Sequence, residues 1–498
     1  MPVGAGAVRP ESQPWRSNGA ALSELGAAVA AQRPRFGDDQ PMLHRRGMCR
    51  IAVAVAEVLV WDTAAAAAQG QPLLECLVGA ASSRDRPTAA IAIEGLVPLI
   101  YDLRFGECRH LPPLLSQALL APILMHAEYI DESATFEDED IAEVYTDEEE
   151  WARVREQTLA DAIQAVYESQ RHNLLQHAAQ AFEAAVAAGG WRAAEAALFI
   201  VGVTAPALLR RQLVRDPTRF LATPASRNEG LTPEGLAAEQ EQGRALLQQL
   251  FTLSCGEVAA PLLAQAPLAA AAARLAAGYA RWLAQEGSDE LLVGVFRTVL
   301  NILKDAAEDP SACVGGAAPK ARVTQATAAL ANLANRACGR LAPALEAQPA
   351  LAAQLVAVCV ALPDAVSNCG GTEGGAWSVD AACAAVLGAT RLLAASPTSL
   401  AAGGAASALG GCWSSALGSA LAMASGVGAN EVRANPSRGH SLNDLDNSKN
   451  VAAVGGPGVS GGRRGGVAAV RSRLARARLH ATGHRMRKGD AAGTFERP

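Results

Sequence analysis

The chain has 498 residues, a formal charge of −6, half of its residues hydrophobic and only 4% aromatic. A length of this order holds either two to four compact domains of ~100–200 residues or one extended array of repeats. Alanine and leucine dominate segment after segment and period-two alternation is nearly absent, which favours the array and argues against sheet proteins.

The first 44 residues are rich in Gly, Ala, Pro, Ser and Arg and are expected to be disordered, apart from a short helical pattern at Ala20–Ala31. Helical spacing then becomes regular. It predicts helices at Cys49–Trp61, Leu73–Ala81, Ala89–Asp102, Leu114–His126, Trp151–Gln170, Leu174–Ala188 and Trp191–Leu209. The run Ile51–Val55, the nearest thing to a strand, continues into Ala56, Glu57 and Val58 and reads as helix. Pro217, Pro224 and Pro233 interrupt the pattern between Arg215 and Glu239. It resumes at Gln240–Thr252, Glu257–Gln265, Leu268–Glu286, Glu290–Ala307, Val323–Arg340, Leu351–Leu362 and Val379–Ala395. Residues 401–430 are Ala, Gly and Ser with little bulk, and 431–498 form a basic tail expected to be disordered.

The segment Gly189–Ala205 carries the clearest stripe, with Trp191, Ala194, Leu198 and Val201 at helical spacing and Glu195 interrupting it. The preceding helix has its own stripe of Ala160, Ile163, Val166, Tyr167, Leu174 and Leu175. Two such helices need further neighbours of the same kind to bury both stripes, which is the logic of a stacked solenoid. The helices recur in pairs of very roughly 40 residues, the HEAT or armadillo period. The expected fold is therefore all-α, an α-α superhelix spanning 45–400.

Residues 431–498 hold 13 basic and 5 acidic residues, leaving 30 basic and 44 acidic residues in 1–430. An acidic body suits basic partners. The acids concentrate in Glu137, Asp138, Glu139, Asp140, Glu143, Asp147, Glu148, Glu149 and Glu150. This run either draws in a basic protein or is a solvated loop that enters the helix at Trp151. Trp191 and Phe199 read as interhelix core more readily than as anchors for a peptide. Arg153 and Arg155 read as ion-paired residues on an exposed helix face, or as partner contacts. The tail arginines, from Arg463 to Arg487 with Lys488, suit a localisation signal, nucleic acid or a nonspecific tail. They lack the interleaved aromatics of a specific nucleic-acid platform.

No nucleophile elbow, phosphate loop, HExxH or dinucleotide fingerprint occurs, so neither an enzyme nor a cofactor is expected. The ten cysteines include no CxxC pair and read as buried thiols, and Cys108 with His110 falls short of a zinc site. No run of eighteen or more apolar residues is free of charge, proline or glycine-rich breaks, so no membrane span is expected.

Three segments resemble a known family in its own order. MCRIAVAVAEVLVWDTA at 48–64 is similar over Cys49-Arg50-Ile51-Ala52-Val53-Ala54. The acidic run with the two helices after it, and then Trp191, Glu195, Ala196, Leu198 and Phe199, follow. The family is the importin-β superfamily of nuclear transport receptors, in its importin-13 and transportin-3 branch. Weaker likeness continues through 281–303 and 326–343. The resemblance implies a receptor that moves between cytoplasm and nucleus through the nuclear envelope. Its partners would be protein cargo, Phe-Gly nucleoporins and the GTPase Ran. Nothing here resembles the family's N-terminal Ran-binding repeats, so the chain is expected to begin within the solenoid. The alternative is a HEAT-repeat scaffold without transport activity.

Overall fold

Alanine-rich stripes let helices approach closely, and the fold is built from that one device repeated. The computed structural model describes residues 19–32, 42–59, 63–105, 111–129, 154–223, 226, 231–308, 317–368 and 386–396. Every regular element among them is a helix. The fold is all-α and of the α-α solenoid class, a helical-repeat scaffold.

In chain order the helices are α1 (Gly19–Ala30), α2 (Met42–Leu59), α3 (Thr63–Ala81), α4 (Arg86–Phe105), α5 (Leu111–Ala118) and α6 (Leu120–Ala127). A π turn at Arg155–Leu159 leads into α7 (Ala160–Gln170), followed by α8 (His172–Ala187), α9 (Trp191–Gln212) and α10 (Pro217–Leu221). Then come α11 (Pro233–Ser254), α12 (Ala266–Gln285), α13 (Asp289–Glu308), α14 (Ala317–Ala347) and α15 (Pro349–Asn368). The chain divides into two compact units, residues 1–302 with 315–344, and residues 303–314 with 345–498.

Within the first unit the helices form two layers. α1, α3, α5 with α6, α9 and α12 pack side by side in one, and α2, α4, α7 with α8, and α11 in the other. α4 shows why: Ala89, Ala92, Ile93, Leu96, Leu99 and Ile100 are all buried and recur at helical spacing. At Gly95 the crossing with α2 is so close that a Cβ would lie 2.4 Å from a Val53 methyl, so no larger residue fits there without a shift. In the second unit α15 buries Leu351, Leu355, Val358 and Cys359, and the helical stretch 386–394 buries Val386, Ala389, Leu392 and Leu393.

Polar ties between helices recur at the repeat period. Arg45 donates to Ser83 and Arg46 to Asp85, partners 38 and 39 residues apart. Arg86 donates to the Glu128 carbonyl and Arg244 to Glu286, each 42 apart. Arg155 and Glu195 are 40 apart. One long side chain per repeat thus reaches the next, at the spacing expected of a helical pair.

Several elements differ from their predicted form. Within the segment 1–44 expected to be disordered, α1 forms on the short helical pattern read at Ala20–Ala31, where it buries Val29 and its Ala30 carbonyl accepts from the Cys76 thiol. Leu114–His126 is two helices, since Pro122 has no N–H to return to Ala118 and the ladder breaks there. Pro217 and Pro233 open α10 and α11 at the first helical turn, where a missing N–H costs nothing, and Asp216 and Thr232 cap them. Glu257–Gln265 is turns and a 3₁₀ segment, Leu262–Ala264. Cys49 and Cys255 are protonated thiols, pushed up to about 12 and about 11 by burial.

His126 ties α6 to α3 by donating from Nε2 to the Ala81 carbonyl at 2.9 Å. Burial lowers its pKa from 6.5 to about 4. A base depressed in the fold is protonated first in the unfolded chain, so its contribution is full above about pH 6.5 and is lost as pH falls toward 4. We expect urea stability to fall by up to roughly 3 kcal/mol over that interval. His126→Gln should lose that portion of the slope; an identical pH profile in the variant would refute the assignment.

Candidate functional site

The first half of α9 runs Trp191, Arg192, Ala193, Ala194, Glu195 and on to Phe199, placing a carboxylate in the middle of an apolar face. Glu195 is 4% exposed and Arg155 5% exposed, and the two form an ion pair. The guanidinium also lies 4.1 Å from the Phe199 ring centroid and 4.9 Å from that of Tyr129. Tyr129 in turn packs on Trp191, with centroids 5.9 Å apart, and Arg192 lies over the Trp191 ring. Arg155 is therefore sandwiched between aromatic faces while its charge meets a carboxylate, a geometry suited to a planar cation. Burial pushes the Glu195 carboxyl up, opposed by the Arg155 and Arg274 charges. Burial and the Glu195 charge likewise push the Tyr129 hydroxyl up.

This corrects the expectation that Arg155 sits on an exposed helix face. The π turn at Arg155–Leu159 adds a residue to one turn and changes the face that Arg155 presents. Arg153 lies outside the described residues. Phe199 is core, as expected, and Trp191 is half-buried at the edge of the aromatic group.

The acidic residues Glu137, Asp138, Glu139, Asp140, Glu143, Asp147, Glu148, Glu149 and Glu150 also lie outside the described residues, as do Cys108 and His110. Of the residues that flank them, Tyr129 and Arg155 touch. Between Asp131 and Glu150 the sequence holds eleven acidic and no basic residues. The charge excess of residues 1–430 is thus mostly local, where composition alone suggested an acidic body.

A second polar cluster lies at the α7–α8 junction. Arg171 adopts φ 46°, an uncommon conformation for a residue with a side chain. Arg171 and Arg211, the latter at 3.0 Å, both pair with Glu239 of α11, and Gln212 donates to the Glu239 carbonyl. The sequence offered no signal for this clamp, because its members are far apart and individually ordinary. Among the described residues no group of three or more His, Cys, Asp or Glu is placed to hold a metal.

No protein-family model matches the chain, and no curated protein matches it. One solved structure similar to it is described as "Circular tandem repeat protein with novel repeat topology and enhanced subunit contact surfaces". The likeness covers 84% of this chain and 99% of that one, at 14% identity and a TM-score of 0.26.

Removing one member of the Arg155–Glu195 pair strands the other charge. We expect Arg155→Met or Glu195→Gln each to cost about 3–5 kcal/mol in urea unfolding. The double variant Arg155→Met/Glu195→Gln should cost clearly less than the sum. Additive losses would show that the pair is not coupled.

Proposed function

We propose that the chain acts by binding proteins, as an import-type nuclear transport receptor whose acidic segment receives a basic cargo region. The observation that carries this reading is the concentration of eleven acidic and no basic residues in Asp131–Glu150, next in sequence to the touching residues Tyr129 and Arg155 of a helical-repeat stack. So many carboxylates in twenty residues raise the local concentration of a cationic partner. The three family-like segments, in their order, supply the transport part of the proposal: weak contacts with Phe-Gly nucleoporins, control by Ran, and movement between cytoplasm and nucleus.

Two measurements separate the parts. A fluorescent Lys/Arg-rich peptide should bind the full chain at low salt, and its affinity should fall steeply as ionic strength rises. Replacing Glu137–Asp140 and Asp147–Glu150 by serine should weaken it by about tenfold or more. Unchanged affinity in that variant would remove the acidic segment from the mechanism. Capture of the chain on immobilised Phe-Gly repeats, with GTP-dependent binding of Ran, is the result expected of a transport receptor. Binding of the basic peptide without either would leave a protein-binding scaffold in its place.

A further inference from the structure

The opposite charge gathers elsewhere on the first unit. α12 contains two arginines, Arg274 and Arg281, and no acidic residue. Seven residues apart, they lie on one side of the helix about 10 Å from each other. Both are exposed. α14 has no acidic residue before Glu346, and Arg336 on it is exposed.

Two hydrogen bonds fix where Arg336 stands. Asn332 donates to the Ala277 carbonyl of α12 at 3.3 Å, and Arg340 donates to the Leu283 and Ala284 carbonyls at 3.1 Å. Residues 332, 336 and 340 follow one another at four-residue spacing along the stripe that faces α12. Arg336 therefore stands midway, level with Arg281. The three guanidiniums form a triangle with sides on the order of 10 Å, given ordinary helix spacing. Carboxylates near this strip are ion-paired with other arginines, Glu286 with Arg244, Asp289 with Arg340 and Glu195 with Arg155, and Glu195 also feels the Arg274 charge. Two glycines lie on the same helices: Gly339 has nothing within 4 Å of where a Cβ would stand, and Gly278 meets only the Ala205 methyl of α9, at 3.7 Å. Exposed Asn335 adds an amide able to donate and accept.

We propose that this face of α12 and α14 binds an extended acidic peptide segment through Arg274, Arg281 and Arg336. An extended chain rises about 3.3 Å per residue, so carboxylates three residues apart match the spacing of the arginines. Arginine suits them, since its fork pairs with a carboxylate in two parallel bonds. A nucleic-acid strand fits less well. The only aromatics of α12, Tyr279 and Trp282, are fully buried, and α14 has none, so bases would find no stacking platform. The proposal stands whether or not the chain is a transport receptor.

The test is fluorescence anisotropy of the full chain with a fluorescein-labelled peptide of about twelve residues alternating Glu and Gly, at low salt. Binding should weaken by about tenfold or more in Arg281→Glu/Arg336→Glu, and measurably in Arg274→Glu. Arg50→Glu, a charge reversal on the exposed face of α2, should leave it unchanged. All four positions are exposed, so thermal melting should match the parent and exclude misfolding as the cause. Absence of binding, or equal loss in Arg50→Glu, overturns the proposal. So does tighter binding of an oligothymidine that depends on the same three arginines, which would assign the face to nucleic acid.

Discussion

A carboxylate in the middle of an apolar helix is the constraint around which the first unit is arranged. Burying Glu195 alone would cost several kcal/mol, and α9 cannot turn it outward without exposing Leu198 and Val201. The answer comes from Arg155, on the turn before α7, whose guanidinium also lies over the rings of Tyr129 and Phe199. Such a pair adds little net stability compared with well-packed apolar residues. It does enforce one register, because any slip of α7 against α9 would strand two charges. The Arg274 charge on α12 acts on the same carboxylate.

The rest of the stack repeats this logic with weaker partners. Arg45, Arg46, Arg86 and Arg244 each cross to a group 38 to 42 residues on, and each reaches a serine, a carboxylate or a helix-end carbonyl. Alanine makes this reach effective. Small residues bring the helices close, as at Gly95 against Val53. They leave few apolar atoms for specificity, so the polar crossings and the few large side chains carry it. Tyr279 is one of these, donating to the Val201 carbonyl from a fully buried position.

Charge is unevenly distributed in this chain. Eleven acidic residues fall within Asp131–Glu150, whereas α12 carries the exposed Arg274 and Arg281 with no acidic residue, and Arg336 is exposed on α14.

Helix positions were legible wherever apolar spacing was long and regular: α9 and α12 fall close to their predicted spans. The helix ends near proline were harder to read. Spacing predicted one helix across Pro122, where the structure has two, and it placed the start of α11 at Gln240, whereas Pro233 opens that helix from its first turn, where the missing N–H costs nothing. Glu195 was visible as an anomaly in its stripe, but its partner was not. Arg155 lies forty residues earlier, among other charges, and its face depends on a π turn that spacing does not announce. The Arg171–Arg211–Glu239 clamp was likewise invisible, since it joins helices through ion pairs between residues far apart in sequence, and so was the position of Arg336, which follows from the bonds of Asn332 and Arg340 to α12 carbonyls. By itself the sequence determined the helical class, the near-40-residue rhythm and the stretch where acid is concentrated, because these follow from local spacing and composition. Only the tertiary structure decided which charges are buried in pairs and which stand exposed together, because that depends on how neighbouring helices stack and not on the order of residues along any one of them.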